Sequence, residues 1–188
     1  MSTPGWIIIW CWIIFLVWWY ASALRVKAVT KRQSWSDSLA YRIPVLLGTV
    51  FLFVQRLPKP LNHPITSITD GMCWTGAVIC IVGVMVAIWA RITLAGNWSS
   101  NITFKKDHEL IRTGPYRFVR HPIYTGMLLM ALGLTLDVAA LRCWIGLALY
   151  FIGFWIKLRE EEKVMLTHFP DQYPAYRQQV KALVPFVI

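Results

Sequence analysis

The chain has 188 residues, of which 57% are apolar and 15% charged, with 11 tryptophans and a formal net charge of +10. That balance excludes an ordinary soluble globular domain. The apolar residues form runs of about 15 to 22 residues rather than alternating at helical or strand period, so the expected fold class is an all-α integral membrane protein.

Five spans are predicted, over 5–24, 40–57, 73–95, 123–141 and 143–157. The first is expected to stay attached rather than be cleaved as a signal peptide: no Lys or Arg precedes it, its apolar run is long, and it lacks a small-residue cleavage site. The last two read as a tight helical hairpin, with Asp137 to Cys143 between them. Arg91 lies near the inner end of the third span, where a charge must snorkel or face a polar cavity. Cys11, Cys73, Cys80 and Cys143 all fall in or beside spans with no metal-ligand spacing, and read as buried apolar filler.

Charge sets the orientation. Segment 25–42 carries Arg25, Lys27, Lys31, Arg32 and Arg42; segment 96–122 carries Lys105, Lys106, Arg112, Arg117 and Arg120; the tail carries Lys157, Arg159, Lys163, Arg177 and Lys181. The other side has Arg56, Lys59 and Arg142. Five spans with the N terminus outside put all three rich segments in the cytoplasm, in line with the positive-inside bias. The same bias accounts for the net charge, so no nucleic-acid partner is expected and attraction to anionic membrane lipids follows.

No repeat or linker divides the chain, and a single domain is expected: three N-terminal spans over 1–95, and a chemistry-bearing part over 96–188. Segment 96–122 is rich in aromatic and branched residues, which predicts an ordered cap. Asn101 to Phe104 reads as extended, Lys105 to Asp107 as a turn, and His108 to Arg112 as a second extended stretch. Thr113-Gly114-Pro115 begins a short helix with Pro115 in its first turn, and Pro122 drives His121 out of the helical region. The free backbone groups at that break require protein, water or a bound small molecule to satisfy them. Two readings of His121 stand, a structural residue at the head of the fourth span or a ligand-binding one. In the tail, Asp171 is the expected cap of a short second helix. Met165, Phe169, Tyr173, Tyr176 and Val180 recur every three or four residues and give it an apolar face. Of Glu160, Glu161 and Glu162, at about 100° per residue, one or two at most face inward.

Taken together, Gly114-Pro115-Tyr116-Arg117-Phe118-Val119-Arg120-His121-Pro122-Ile123-Tyr124-Thr125-Gly126, the glutamate triplet, His168-Phe169, Tyr173, Tyr176 and Val184-Pro185-Phe186 resemble the isoprenylcysteine carboxyl methyltransferase family and its phospholipid methyltransferase relatives. Asn97-Trp98-Ser99 and His108 to Ile111 are similar to the family's cofactor loop, so the resemblance spans roughly residues 90–188, and no motif is expected upstream. It implies that Thr103, His108, Glu109, Leu110, Ile111, Tyr116, His121, Pro122, Ile123, Tyr124 and Glu161 surround S-adenosyl-L-methionine. It also implies a basic residue that meets the substrate carboxylate, with Lys157 and Arg159 both in the right neighbourhood, and no metal. The implied activity is methyl transfer to a lipophilic or prenylated acceptor, which is expected to arrive from the bilayer, and the shortness of the chain points to a prokaryotic inner membrane. N- or S-methylation of a phospholipid or another lipophilic amine or thiol is the alternative within that class. An NADPH-dependent membrane reductase and a non-catalytic membrane protein are the alternatives outside it. Oligomeric state is not legible in the sequence.

Overall fold

The computed structural model describes residues 2–23, 35–95 and 110–187. Its elements are helical: α1 (Thr3–Ala23), α2 (Trp35–Phe53), the single turn α3 (Lys59–Asn62), α4 (Asp70–Leu94), a 3-10 turn (Gly114–Arg117), α5 (Pro122–Val138), α6 (Leu141–His168) and α7 (Tyr173–Gln179). Among the described residues, α1, α4 and α6 are long and apolar enough to cross a membrane, while the apolar parts of α2 and α5 are shorter. The five long helices overlap the predicted apolar runs, four of them with ends shifted by a few residues and α6 extended well past its predicted end.

Local chemistry explains the ends. Thr69 caps α4, its hydroxyl accepting from the Met72 N–H at 3.2 Å, a common helix start. Between α5 and α6 only Ala139 and Ala140 intervene, not the Asp137–Cys143 connection expected, because Ala139 adopts a left-handed φ of 51° and its N–H bonds back to Thr135. The fifth span does not stop near residue 157. It runs unbroken to His168 as a 28-residue helix, about 42 Å long, so its charged end extends beyond a hydrocarbon core of about 30 Å.

The body is two helix pairs, α4 with α5 and α2 with α6, with α1 against α4. The first pair closes on glycine. Gly76 and Gly83 of α4 face Gly133 and Gly126 of α5, and a Cβ built on Gly83 or Gly126 would lie 2.6 Å from the other's carbonyl oxygen. Only glycine permits that approach, as at tight helix crossings in membranes. Two arginines are buried at helix ends. Arg142 donates to the carbonyls of Phe51 and Leu52 at 3.0 and 2.7 Å, sealing the last turn of α2. Arg91, 5% exposed, donates to Ala95 and Ser22 carbonyls at 2.9 and 3.1 Å. It joins the ends of α1 and α4, where carbonyls left unpaired at helix ends offer it acceptors.

Candidate active site

At the end of the bundle where α6 becomes charged, four segments converge: the 110–121 stretch, the head of α5, the C-terminal half of α6, and the tail after it. Gly114 has φ 59° and Pro115 fills the first turn of the 3-10 helix. This turns the chain so that Tyr116 enters the core, 6% exposed. Tyr176 of α7 donates its hydroxyl to the Tyr116 carbonyl at 2.6 Å, and Arg112 bonds Gln172 at 2.8 Å. The expected apolar face of the tail is thus realised, with Tyr173 and Tyr176 buried. Burial pushes both phenols up, Tyr176 to about 12 with Arg120 and Arg112 opposing. Asp171 does not cap α7. Gln172 holds the cap position without a side-chain bond, and Pro174 in the first turn needs no acceptor for its missing N–H.

His121 immediately precedes α5, at φ −125° and ψ 58°. The orphaned backbone donors expected there are met by the chain's own tail. The Arg120 N–H bonds the Lys181 carbonyl at 2.8 Å and the His121 N–H bonds that of Ala182 at 2.9 Å. The Thr125 hydroxyl reaches the Leu183 carbonyl at 2.7 Å. A small molecule is not needed for those groups.

The side chains at this break divide between two glutamates of α6. Glu161 accepts the Tyr124 hydroxyl at 2.5 Å and lies 4.0 Å from the Lys157 ammonium. Lys157 sits 5.5 Å from the ring centroids of both Tyr41 and Tyr124, an aromatic cradle for a cation. Tyr124 is itself stacked between His121 and Phe154, at 5.7 and 5.0 Å. Glu162 faces the other way. The Arg120 guanidinium bonds it at 2.8 and 2.5 Å and also holds the Arg177 and Val180 carbonyls. Arg177 adds a 3.4 Å contact to Glu162. Glu160 turns out to Lys163, so two of the triplet face inward.

His121 bridges the two, its Nδ1 3.4 Å from Glu161 and its Nε2 3.4 Å from Glu162. Burial lowers its pKa, but the two carboxylates outweigh burial and the net shift is upward. Burial likewise raises the Tyr116 phenol, with Glu161 reinforcing it.

Of the residues predicted for the site, the structure brings together His121, Tyr124, Glu161 and Lys157. Tyr116 is close enough to feel the Glu161 charge. Pro122 and Ile123 are buried in the first turn of α5. Ile111 packs on the core and Leu110 is half-buried beside it in sequence. Arg159 lies apart from that cluster, its guanidinium 4.9 Å over the Trp155 ring. Thr103, His108 and Glu109 lie outside the described residues. Sequence reasoning missed Tyr41, whose signal was weak: one tyrosine near the start of an apolar run.

An all-helical membrane protein with a carboxylate, a cation and stacked aromatics where two helices meet is the class that fold and site define. A sequence profile of the isoprenylcysteine carboxyl methyltransferase (ICMT) family matches residues 76–167, a stretch that takes in most of α4, all of α5 and most of α6. The chain is similar to protein-S-isoprenylcysteine O-methyltransferase of Tribolium castaneum, 26% identical over 181 residues, covering 89% of this chain and 62% of that protein. It is equally similar to a probable enzyme of the same name in Oryza sativa subsp. indica, 26% identical over 160 residues and covering 84% of each. A solved structure of the eukaryotic intramembrane Ras methyltransferase ICMT matches with TM-score 0.56 and 27% identity, over 78% of this chain and 52% of that one. The likeness therefore reaches into the N-terminal 90 residues, where no motif was expected.

Proposed function

We infer that this chain is an S-adenosyl-L-methionine-dependent methyltransferase acting on a lipophilic acceptor, with the carboxylate of a prenylcysteine as the favoured substrate. The observation that carries this is the grouping of Tyr124, Glu161, Lys157 and His121 at the α5–α6 junction, in the segment that matches the family. These groups fit a sulfonium cofactor: Tyr41 and Tyr124 already hold a cation against their faces, and Glu161 offers a carboxylate to a hydroxyl or ammonium group. Bound S-adenosylmethionine supplies an electrophilic methyl group.

The chain's residues then have three tasks. Tyr116, Ile111, Leu110 and the residues from His121 to Tyr124 form the apolar and backbone wall of the pocket, with Thr103, His108 and Glu109 proposed to complete it. Glu161, held by Tyr124 and His121, anchors the polar end. Lys157, a point charge beside Glu161, orients an acceptor carboxylate; Arg159 is the other candidate for that role. A carboxylate acceptor is ionised at neutral pH and needs no base, so the dominant contribution is alignment in a site shielded from water. We further infer a five-span topology with the N terminus outside and the site in the cytoplasm of a prokaryotic inner membrane, with the acceptor arriving laterally from the bilayer.

The test is methyl transfer from labelled S-adenosylmethionine to a farnesylcysteine analogue with a free carboxylate, with its carboxamide and phosphatidylethanolamine as controls. Labelling of the carboxylate alone is the expected result. Labelling of the amine lipid alone would reassign the acceptor, and labelling of none with NADPH oxidation instead would overturn the reading. Within it, Lys157→Ala should raise KM for the carboxylate by about tenfold, roughly 1.4 kcal/mol.

A further inference from the structure

On the opposite side of α6 from Lys157 lies a second polar feature, apart from the Tyr124–Glu161–Lys157 cluster; it takes Arg159 as a lipid ligand and rests on Lys157 being the residue that meets the acceptor. It is an open cleft of about 240 Å³ between the charged half of α6 and the returning tail. Four cations line it, Arg120, Arg159, Arg177 and Lys181, against the single carboxylate of Glu162. That carboxylate is already engaged by Arg120 and Arg177. Among the described residues Arg159 and Lys181 have no carboxylate partner, and both are exposed at the rim. A concave surface with surplus positive charge and the guanidinium fork of Arg159 uncommitted to a carboxylate suits a phosphate group.

Its depth in the bilayer selects the source of that phosphate. Arg159 lies roughly 27 Å along α6 from Leu141, about the thickness of a hydrocarbon core. The cleft therefore opens where the apolar part of the helix gives way to headgroups. Trp155, the cleft's aromatic wall, is the residue type that settles at that boundary. Beyond the cleft the tail presents Val184, Phe186 and Val187 at 46%, 93% and 72% exposure. Apolar side chains left uncovered beside a basic cleft at this depth are suited to the acyl region of the same leaflet.

We propose that this cleft binds the phosphate of an anionic phospholipid, with Arg159 and Lys181, which no carboxylate of the described residues engages, as its cations and the Val184–Val187 end inserted among the acyl chains. The lipid pins the tail, whose Lys181 and Ala182 carbonyls hold the backbone before His121.

Native mass spectrometry of the detergent-solubilised full chain tests it, with phosphatidylglycerol, phosphatidylcholine and inorganic phosphate as the probes. The expected result is retention of phosphatidylglycerol over phosphatidylcholine by the wild type. That preference should fall roughly thirtyfold in an Arg159→Gln/Lys181→Gln double variant, given about one tenfold step or less per cation. Phe186→Ser should weaken retention while leaving the preference for the anionic headgroup. Equal retention of the two lipids, or a preference unchanged in the double variant, would overturn the proposal. So would displacement of phosphatidylglycerol by excess inorganic phosphate, which would make the cleft a site for free anions.

Discussion

Glu161 and Glu162 are adjacent in the chain, yet about 100° of helix rotation gives them different surroundings. Glu162 is enclosed by Arg120 and Arg177 and ties the tail to α6. Glu161 is met by a tyrosine hydroxyl and, more loosely, by a lysine ammonium. The partners of Glu162 are saturated and structural, whereas a bound molecule with a hydroxyl or a cation can replace those of Glu161. Position relative to the α5 break, rather than residue type, separates the enclosed carboxylate from the one with looser partners, and His121 touches both.

The largest expected effect falls on the enclosed carboxylate. Arg120→Ala leaves Glu162 buried without its main partner and removes the donor to two tail carbonyls. It should cost about 3–5 kcal/mol, read as a large fall in the thermal unfolding midpoint in detergent. A shift within a degree of wild type would mean that the pair is not load-sharing with the tail. On the other side, Glu161→Ala should lower that midpoint less than Arg120→Ala does, since its partners are looser, and weaken S-adenosylhomocysteine binding at least about tenfold, or 1.4 kcal/mol. Intact binding there removes Glu161 from the pocket. Tyr176→Phe deletes the buried bond to the Tyr116 carbonyl and should cost about 1 kcal/mol, loosening the platform without abolishing binding.

The smallest effect is one of pH. His121 faces Glu161 and Glu162 from α6 and stacks on Tyr124, with Arg120, Arg177 and Lys157 behind the carboxylates. Its folded pKa is raised, so its protonated form stabilises the fold. That contribution is complete below the unfolded value of about 6.5 and is lost as pH rises through the higher folded value. The unfolding midpoint should fall over that window in the wild type and lose that component in His121→Asn. An identical pH profile in the variant would assign the titration elsewhere.

The long helices were legible because twenty-residue apolar runs have few other uses, and the site's core because Pro122 and the glutamate triplet mark a break and a charged helix end. The tail's pairing with residues 119–121 was not, since two backbone bonds leave no periodic signal. The Gly76/Gly83 and Gly126/Gly133 seam did carry one, a repeated spacing of seven on two predicted spans. Arg142 looked like a loop charge and is instead buried on α2 carbonyls, because α6 begins earlier than hydropathy alone suggests.

Calorimetric titration of the purified protein with S-adenosylhomocysteine, with NADPH as the control ligand, tests the central claim most directly. Saturable binding of S-adenosylhomocysteine alone is the predicted result. Binding of NADPH instead, or of neither ligand, would contradict the assignment of the Tyr124–Glu161–Lys157 cluster to a methyl donor.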